Sequence, residues 1–154
     1  CLSNAGSHEK SIAIPSCKPD SVYASIISLS EPGVSYSLVL PAGYPSTKKQ
    51  PLFVFLDPHA AGSLPLVQYK SLATKYEAVF IGSNNSKNGM PVEESIRNTK
   101  LSIADALSRF NLDEQAVFLV GFSGGARVAG AMFAQGFPAA GLIACSAGEM
   151  RPGP

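Results

Sequence analysis

Four uninterrupted apolar runs organise this sequence: "PLFVFLD" (51–57), "AVFIGS" (78–83), "AVFLVGF" (116–122) and "AGLIACSAG" (140–148). None alternates polar with apolar residues, the pattern of strands buried on both faces of a sheet. The segments between them carry a helical period instead. Leu66, Tyr69, Leu72 and Ala73 share one face of "LPLVQYKSLATKY", with Pro65 suited to the first turn. Ile96, Ile103, Leu107 and Phe110 do the same across "EESIRNTKLSIADALSRF", and a third helix runs from about Ser123 to Gln135, stopped by Gly136 and Pro138. Strands alternating with helices require parallel neighbours joined by crossovers. The expected fold is therefore α/β, a three-layer sandwich with a mostly parallel sheet.

The sheet is entered through a different pattern. "SVYASIISL" (21–29) and "VSYSLVLP" (34–41) flank "SEPG", whose Pro32-Gly33 suits a tight turn, so they read as an antiparallel hairpin. "AGYPSTKKQ" (42–50) follows as a polar surface loop. Residues 1–10 read as a tether, and 11–154 as one domain with no internal repeat. Twelve Lys and Arg against eleven Asp and Glu leave a net charge of +1, with no basic cluster longer than Lys48-Lys49. No nucleic-acid partner is expected. No apolar run approaches the roughly 20 residues that span a bilayer.

Cysteines add a separate expectation. Cys1 heads a small, polar stretch, "LSNAGSHEK", in the manner of a mature bacterial lipoprotein lipidated on its first residue, although a fragment beginning there reads the same. Under the first reading the protein is exported, periplasmic or at the cell surface, and meets a membrane only through that lipid. Cys17 and Cys145 are left to pair or stay free, and the apolar setting of Cys145 predicts a buried, inert thiol. No Cys or His spacing suggests a metal, and no cofactor is implied.

"GFSGG", Gly121 to Gly125, carries the chemistry. It fits G-x-S-x-G between a strand and a helix, the setting in which a sharp turn lifts a serine hydroxyl off the sheet edge. Small residues two places either side let strand and helix pass closely, and the helix start offers free N–H groups to an oxyanion. Ser123 is then a nucleophile and Gly124 an oxyanion donor. The plainer reading is a glycine-rich turn with an idle serine. "GFSGGA" lacks both the lysine of a phosphate-binding loop and the G-x-G-x-x-G spacing of a dinucleotide site.

A second oxyanion donor is due in the turn after "PLFVFL". That turn is "DPHAAGS", where small residues let a backbone N–H approach a carbonyl; Ala60 is favoured over Ala61, with His59 beside them and Asp57 fixing the loop. An ordinary loop with a surface histidine remains the alternative. "SNNSKNG" (83–89) follows a strand on the same side, and Asn84, Asn85 and Lys87 suit either a substrate contact or a plain turn. Arg127 is expected to pair with a carboxylate or carbonyl.

The order of hairpin, "PLFVFLDPHAAG", "NNSKNG", "LDEQAVFLVGFSGGARVA" and "GLIACSAG" resembles the first two-thirds of an α/β-hydrolase domain. Within that family it is similar to the esterase and polyhydroxybutyrate-depolymerase-like branch found among bacterial lipoproteins. The resemblance implies a serine hydrolase acting on a small-molecule or polymer ester. Ser123 would be its nucleophile and Gly124 with Ala60 its oxyanion pair. It also implies an Asp or Glu and then a His on strands following "GLIACSAG".

Only His8 and His59 occur in the sequence, both upstream of Ser123. Three accounts of the base follow. The domain is truncated after its sixth strand and the acid and histidine lie beyond residue 154; or His59 forms a dyad with Ser123, oriented by Asp57 or Glu149; or the chain is a non-catalytic binding lipoprotein.

Overall fold

The computed structural model describes residues 17–146. Cys1, the 1–10 tether, His8 and Glu149 lie outside that range. Six strands and three helices follow in the order β1 (Val22–Ile27), β2 (Ser35–Val39), β3 (Gln50–Leu56), α1 (Ser63–Lys75), β4 (Val79–Ser83), α2 (Val92–Arg109), β5 (Leu112–Phe122), α3 (Gly124–Ala134) and β6 (Gly141–Cys145). They form one sheet in the order β1-β2-β4-β3-β5-β6. The β1–β2 and β2–β4 pairs are antiparallel, and β4–β3, β3–β5 and β5–β6 are parallel. The expected hairpin leading into a mostly parallel sheet is therefore present. Strand β5 starts four residues earlier than its apolar run, because Leu112 already pairs with Gln50 across an irregularity in the ladder.

The strand order explains where a site can form. The chain leaves β3 for α1 and β4 on one side, then α2 carries it back past β3 to β5 on the other. Loops after β3 and β5 thus diverge at neighbouring carboxyl ends, opening the crevice typical of a reversal in strand order. Helices α2 and α3 cover one face through Ile96, Ile103, Val128 and Met132, joined by Phe110 just past the end of α2. Helix α1 covers the other through Leu66 and Ala73.

That second cover is partial, and three sequence expectations are corrected on this side of the sheet. Helix α1 lies over β1, β2 and β4. Among the described residues no helix covers the same face of β5 and β6, so Phe122 is 55% exposed and Ile143 50%. The runs forming β5 and β6 are thus not buried on both faces. Cys145, expected to be buried, is exposed, and both it and Cys17 are free thiols. On α1, Leu66 and Ala73 are buried as expected, but Tyr69 and Leu72 are exposed. Tyr69 instead stacks on Phe55, with ring centroids 6.2 Å apart. Phe55 continues through Phe80 and Phe53 to Phe118 as one aromatic row across this face.

An open apolar face beside β6, whose outer edge is unpaired among the described residues, is a template for association. The 154-residue chain in isolation should dimerise or aggregate at tens of micromolar. A monodisperse, cooperatively melting monomer by analytical ultracentrifugation and calorimetry would contradict this.

Candidate active site

At the end of β5 the backbone of Ser123 turns through φ 51° and ψ −116°. A positive φ is rare for a residue with a Cβ, and it persists only where the surroundings hold it. Here the Ser123 N–H donates to the Cys145 carbonyl (2.8 Å), while the Ser123 carbonyl accepts from Ala126 N–H (3.0 Å) and Arg127 N–H (3.3 Å). The turn is clamped on both sides. The glycines two places either side are required by close approach. A Cβ on Gly125 would sit 2.5 Å from the Leu56 carbonyl carbon at the end of β3, and one on Gly121 would sit 2.5 Å from the Ala126 Cα. Neither backbone can yield without separating strand from helix. Gly124 N–H, at the head of α3, has no acceptor among the described residues. It is available to an anion.

The loop after β3 is organised by Asp57. This carboxylate is buried, and its Oδ1 accepts the N–H of His59 (2.7 Å) and, more weakly, that of Ala61 (3.4 Å). Asp57 thus fixes the turn that the sequence suggests, in the manner of an Asx turn. Ala60 sits at its apex with φ 58°. The His59 ring is 78% exposed, with Nδ1 3.4 Å from Asp57 Oδ1. No hydrogen bond joins His59 to Ser123, so the dyad's geometric demand is unmet in this structure. His59 lines a cavity of about 430 Å³ with Asp57, Leu64, Tyr69, Phe122 and Cys145, between α1 and the uncovered end of β5.

The loop after β4 completes the cluster. Its backbone is stitched to the Asp57 loop: Asn88 N–H donates to the Pro58 carbonyl (2.8 Å), and His59 forms an antiparallel bridge with Lys87. Asn84 and Asn85, expected among substrate contacts, have another task. Asn84 Nδ2 donates to the Ala24 carbonyl (3.0 Å) and to Ser35 Oγ (3.2 Å). Asn85 Oδ1 accepts the Ser35 N–H (2.8 Å), and its Nδ2 donates to the Gly33 carbonyl (3.1 Å). Both amides are consumed in tying the loop to the β1–β2 hairpin. Arg127, expected to be paired, is exposed and makes no ion pair among the described residues.

One residue escaped the sequence reading. The Asn88 carboxamide occupies the place that a side chain on Gly124 would take, against the turn at Ser123. The signal was present in "GFSGG", since the motif leaves the position after serine unconstrained and this chain puts glycine there. Among the described residues no group of three or more His, Cys, Asp or Glu is arranged to hold a metal ion.

No family model and no curated protein matches this sequence. Its fold, however, is similar to solved structures of hydrolases. A poly(3-hydroxybutyrate) depolymerase, LpqC, from Bordetella parapertussis superposes with a TM-score of 0.57 at 13% identity, over 72% of this chain and 45% of that one. An S-formylglutathione hydrolase, FrmB, from Staphylococcus aureus gives 0.59 at 18% identity, over 75% of this chain and 52% of that one. A thermostable esterase gives 0.60 at 16% identity, over 80% of this chain and 40% of that one. The architecture is that of a partial α/β-hydrolase fold with an antiparallel N-terminal hairpin. At 40% to 52% of their length, the chain spans about half of these relatives.

Proposed function

We propose that this chain carries the nucleophile half of a serine hydrolase acting on carboxylic esters. The observation that carries the reading is the strained turn at Ser123, clamped between β5 and α3 beside a Gly124 N–H that has no acceptor among the described residues. Backbone strain of this kind costs on the order of 1–3 kcal/mol, and a structural turn with a glycine at that position would avoid it.

In the proposed reaction Ser123 Oγ attacks the ester carbonyl carbon as a general base takes its proton. The carbonyl oxygen becomes an oxyanion held by Gly124 N–H, with Ala60 as second donor. Collapse breaks the carbon–oxygen bond to the alcohol, which leaves with the proton returned by the base. Water then hydrolyses the acyl-serine by the same route, releasing the acid and restoring Ser123. The base is a histidine, oriented by a carboxylate, from polypeptide outside these 154 residues. Two observations support that placement: His59 makes no hydrogen bond to Ser123, and the matched region covers only 45% and 52% of two solved hydrolases of similar fold.

Mapping a fluorophosphonate adduct on the polypeptide extended past Pro154 by its natural continuation tests the reading. Modification of Ser123 supports it. Modification confined to another residue, or none, overturns it.

A further inference from the structure

The three atoms nearest to a Cβ built on Gly124 all belong to the Asn88 side chain. A Cβ built there would collide with Asn88 Oδ1 and lie 2.8 Å from its Cγ, whereas the Gly121 and Gly125 contacts are with backbone. The loop holds Asn88 in place through its N–H bond to the Pro58 carbonyl. A third polar group therefore converges on the elbow, from β4's loop rather than from β3 or β5. Its Oδ1 rests against Gly124, and Nδ2 has no acceptor among the described residues and stands 3.2 Å from the same Cβ position. The residue is exposed, so a bound substrate can reach it.

We infer that Asn88 is a side-chain oxyanion donor of this site, its Nδ2–H joining Gly124 N–H on the carbonyl oxygen as charge develops there. The inference rests on the hydrolase reading above. The Asn88 backbone N–H holds the loop, which leaves both hydrogens of Nδ2 for a substrate. A donor aimed at developing charge lowers the barrier more than it strengthens ground-state binding, so its loss appears in kcat rather than KM.

The test is made on the polypeptide extended past Pro154, with a short-chain p-nitrophenyl ester and a fluorophosphonate. Wild type and Ser123→Ala come first: an inert wild type would remove the hydrolase reading and this inference together. With wild type active, Asn88→Ala should lower kcat and the labelling rate by roughly 10²-fold, leave KM within about threefold, and leave the melting temperature unchanged. Asn88→Asp keeps the shape but turns the donor into an anion, and should lose more. Unchanged kcat in Asn88→Ala, or a loss confined to KM, would overturn the role of Asn88 while leaving that of Ser123 intact.

Discussion

Asp105→Ala is expected to lose about 3–5 kcal/mol of stability, a large share of the roughly 5–15 kcal/mol that holds an ordinary domain together. Asp105 lies on α2, yet both its oxygens serve the N-terminal hairpin. Oδ1 accepts the Leu29 N–H (2.9 Å) and Oδ2 accepts the Tyr36 hydroxyl (2.8 Å). Arg109, one turn on, approaches Oδ2 through Nε at 3.1 Å, although the angle is too poor for a hydrogen bond, and its Nη2 donates to the Ile27 carbonyl (2.7 Å). The two side chains are 2% and 4% exposed. Removing the carboxylate leaves a buried guanidinium without its countercharge, which is why the loss exceeds that of one hydrogen bond. Urea unfolding should show the shift at an unchanged slope. A change below about 1 kcal/mol would mean that the hairpin is held by apolar packing alone.

The same cluster sets an alkaline limit. Burial raises the Tyr36 hydroxyl pKa above its ordinary range, helped by its hydrogen bond to Asp105 and by that carboxylate's charge. The folded chain then keeps a proton that the unfolded chain releases above about pH 10. Stability contributed by Tyr36 is intact below that pH and falls as pH rises beyond it. Tyr36→Phe should flatten that fall, measured by urea midpoint against pH.

Much of this architecture was legible because strand and helix periods are local signals. The hairpin, the α/β order and the elbow each rest on contiguous residues, and all are present where the sequence suggests them. What escaped depends on which faces meet. "AVFLVGF" and "GLIACSAG" look like strands covered twice, and nothing local reveals that α1 lies over β1, β2 and β4 and leaves Phe122 and Ile143 exposed. The apolar stripe of α2 is legible in the sequence, whereas the burial of its polar row of Asn98, Thr99, Ser102, Asp105 and Arg109 is not. Thr99 and Ser102 hide there because their hydroxyls bond to carbonyls one turn back, at 2.7 Å and 3.1 Å. Asn84 and Asn85 have the composition of either a turn or a ligand site, and only their partners across about 50 residues of sequence decide it. Asn88 was missed for the same reason. Its neighbour Gly124 is 36 residues away.

The rate of phosphonate attachment to Ser123 tests the central claim most directly. A serine reacts quickly only when a base takes its proton and an oxyanion hole receives the charge. With the hole but no base, roughly 10³–10⁴ over water remains, whereas loss of the nucleophile in a complete site costs about 10⁶. The 154-residue chain should therefore label slowly or not at all. The polypeptide extended past Pro154 by about 100 native residues, the order of length by which the similar hydrolases exceed this chain, should label fast at Ser123 and become silent as Ser123→Ala. Fast labelling of the 154-residue chain that His59→Ala removes would place the base within this chain, and a silent extended polypeptide would contradict the hydrolase account altogether.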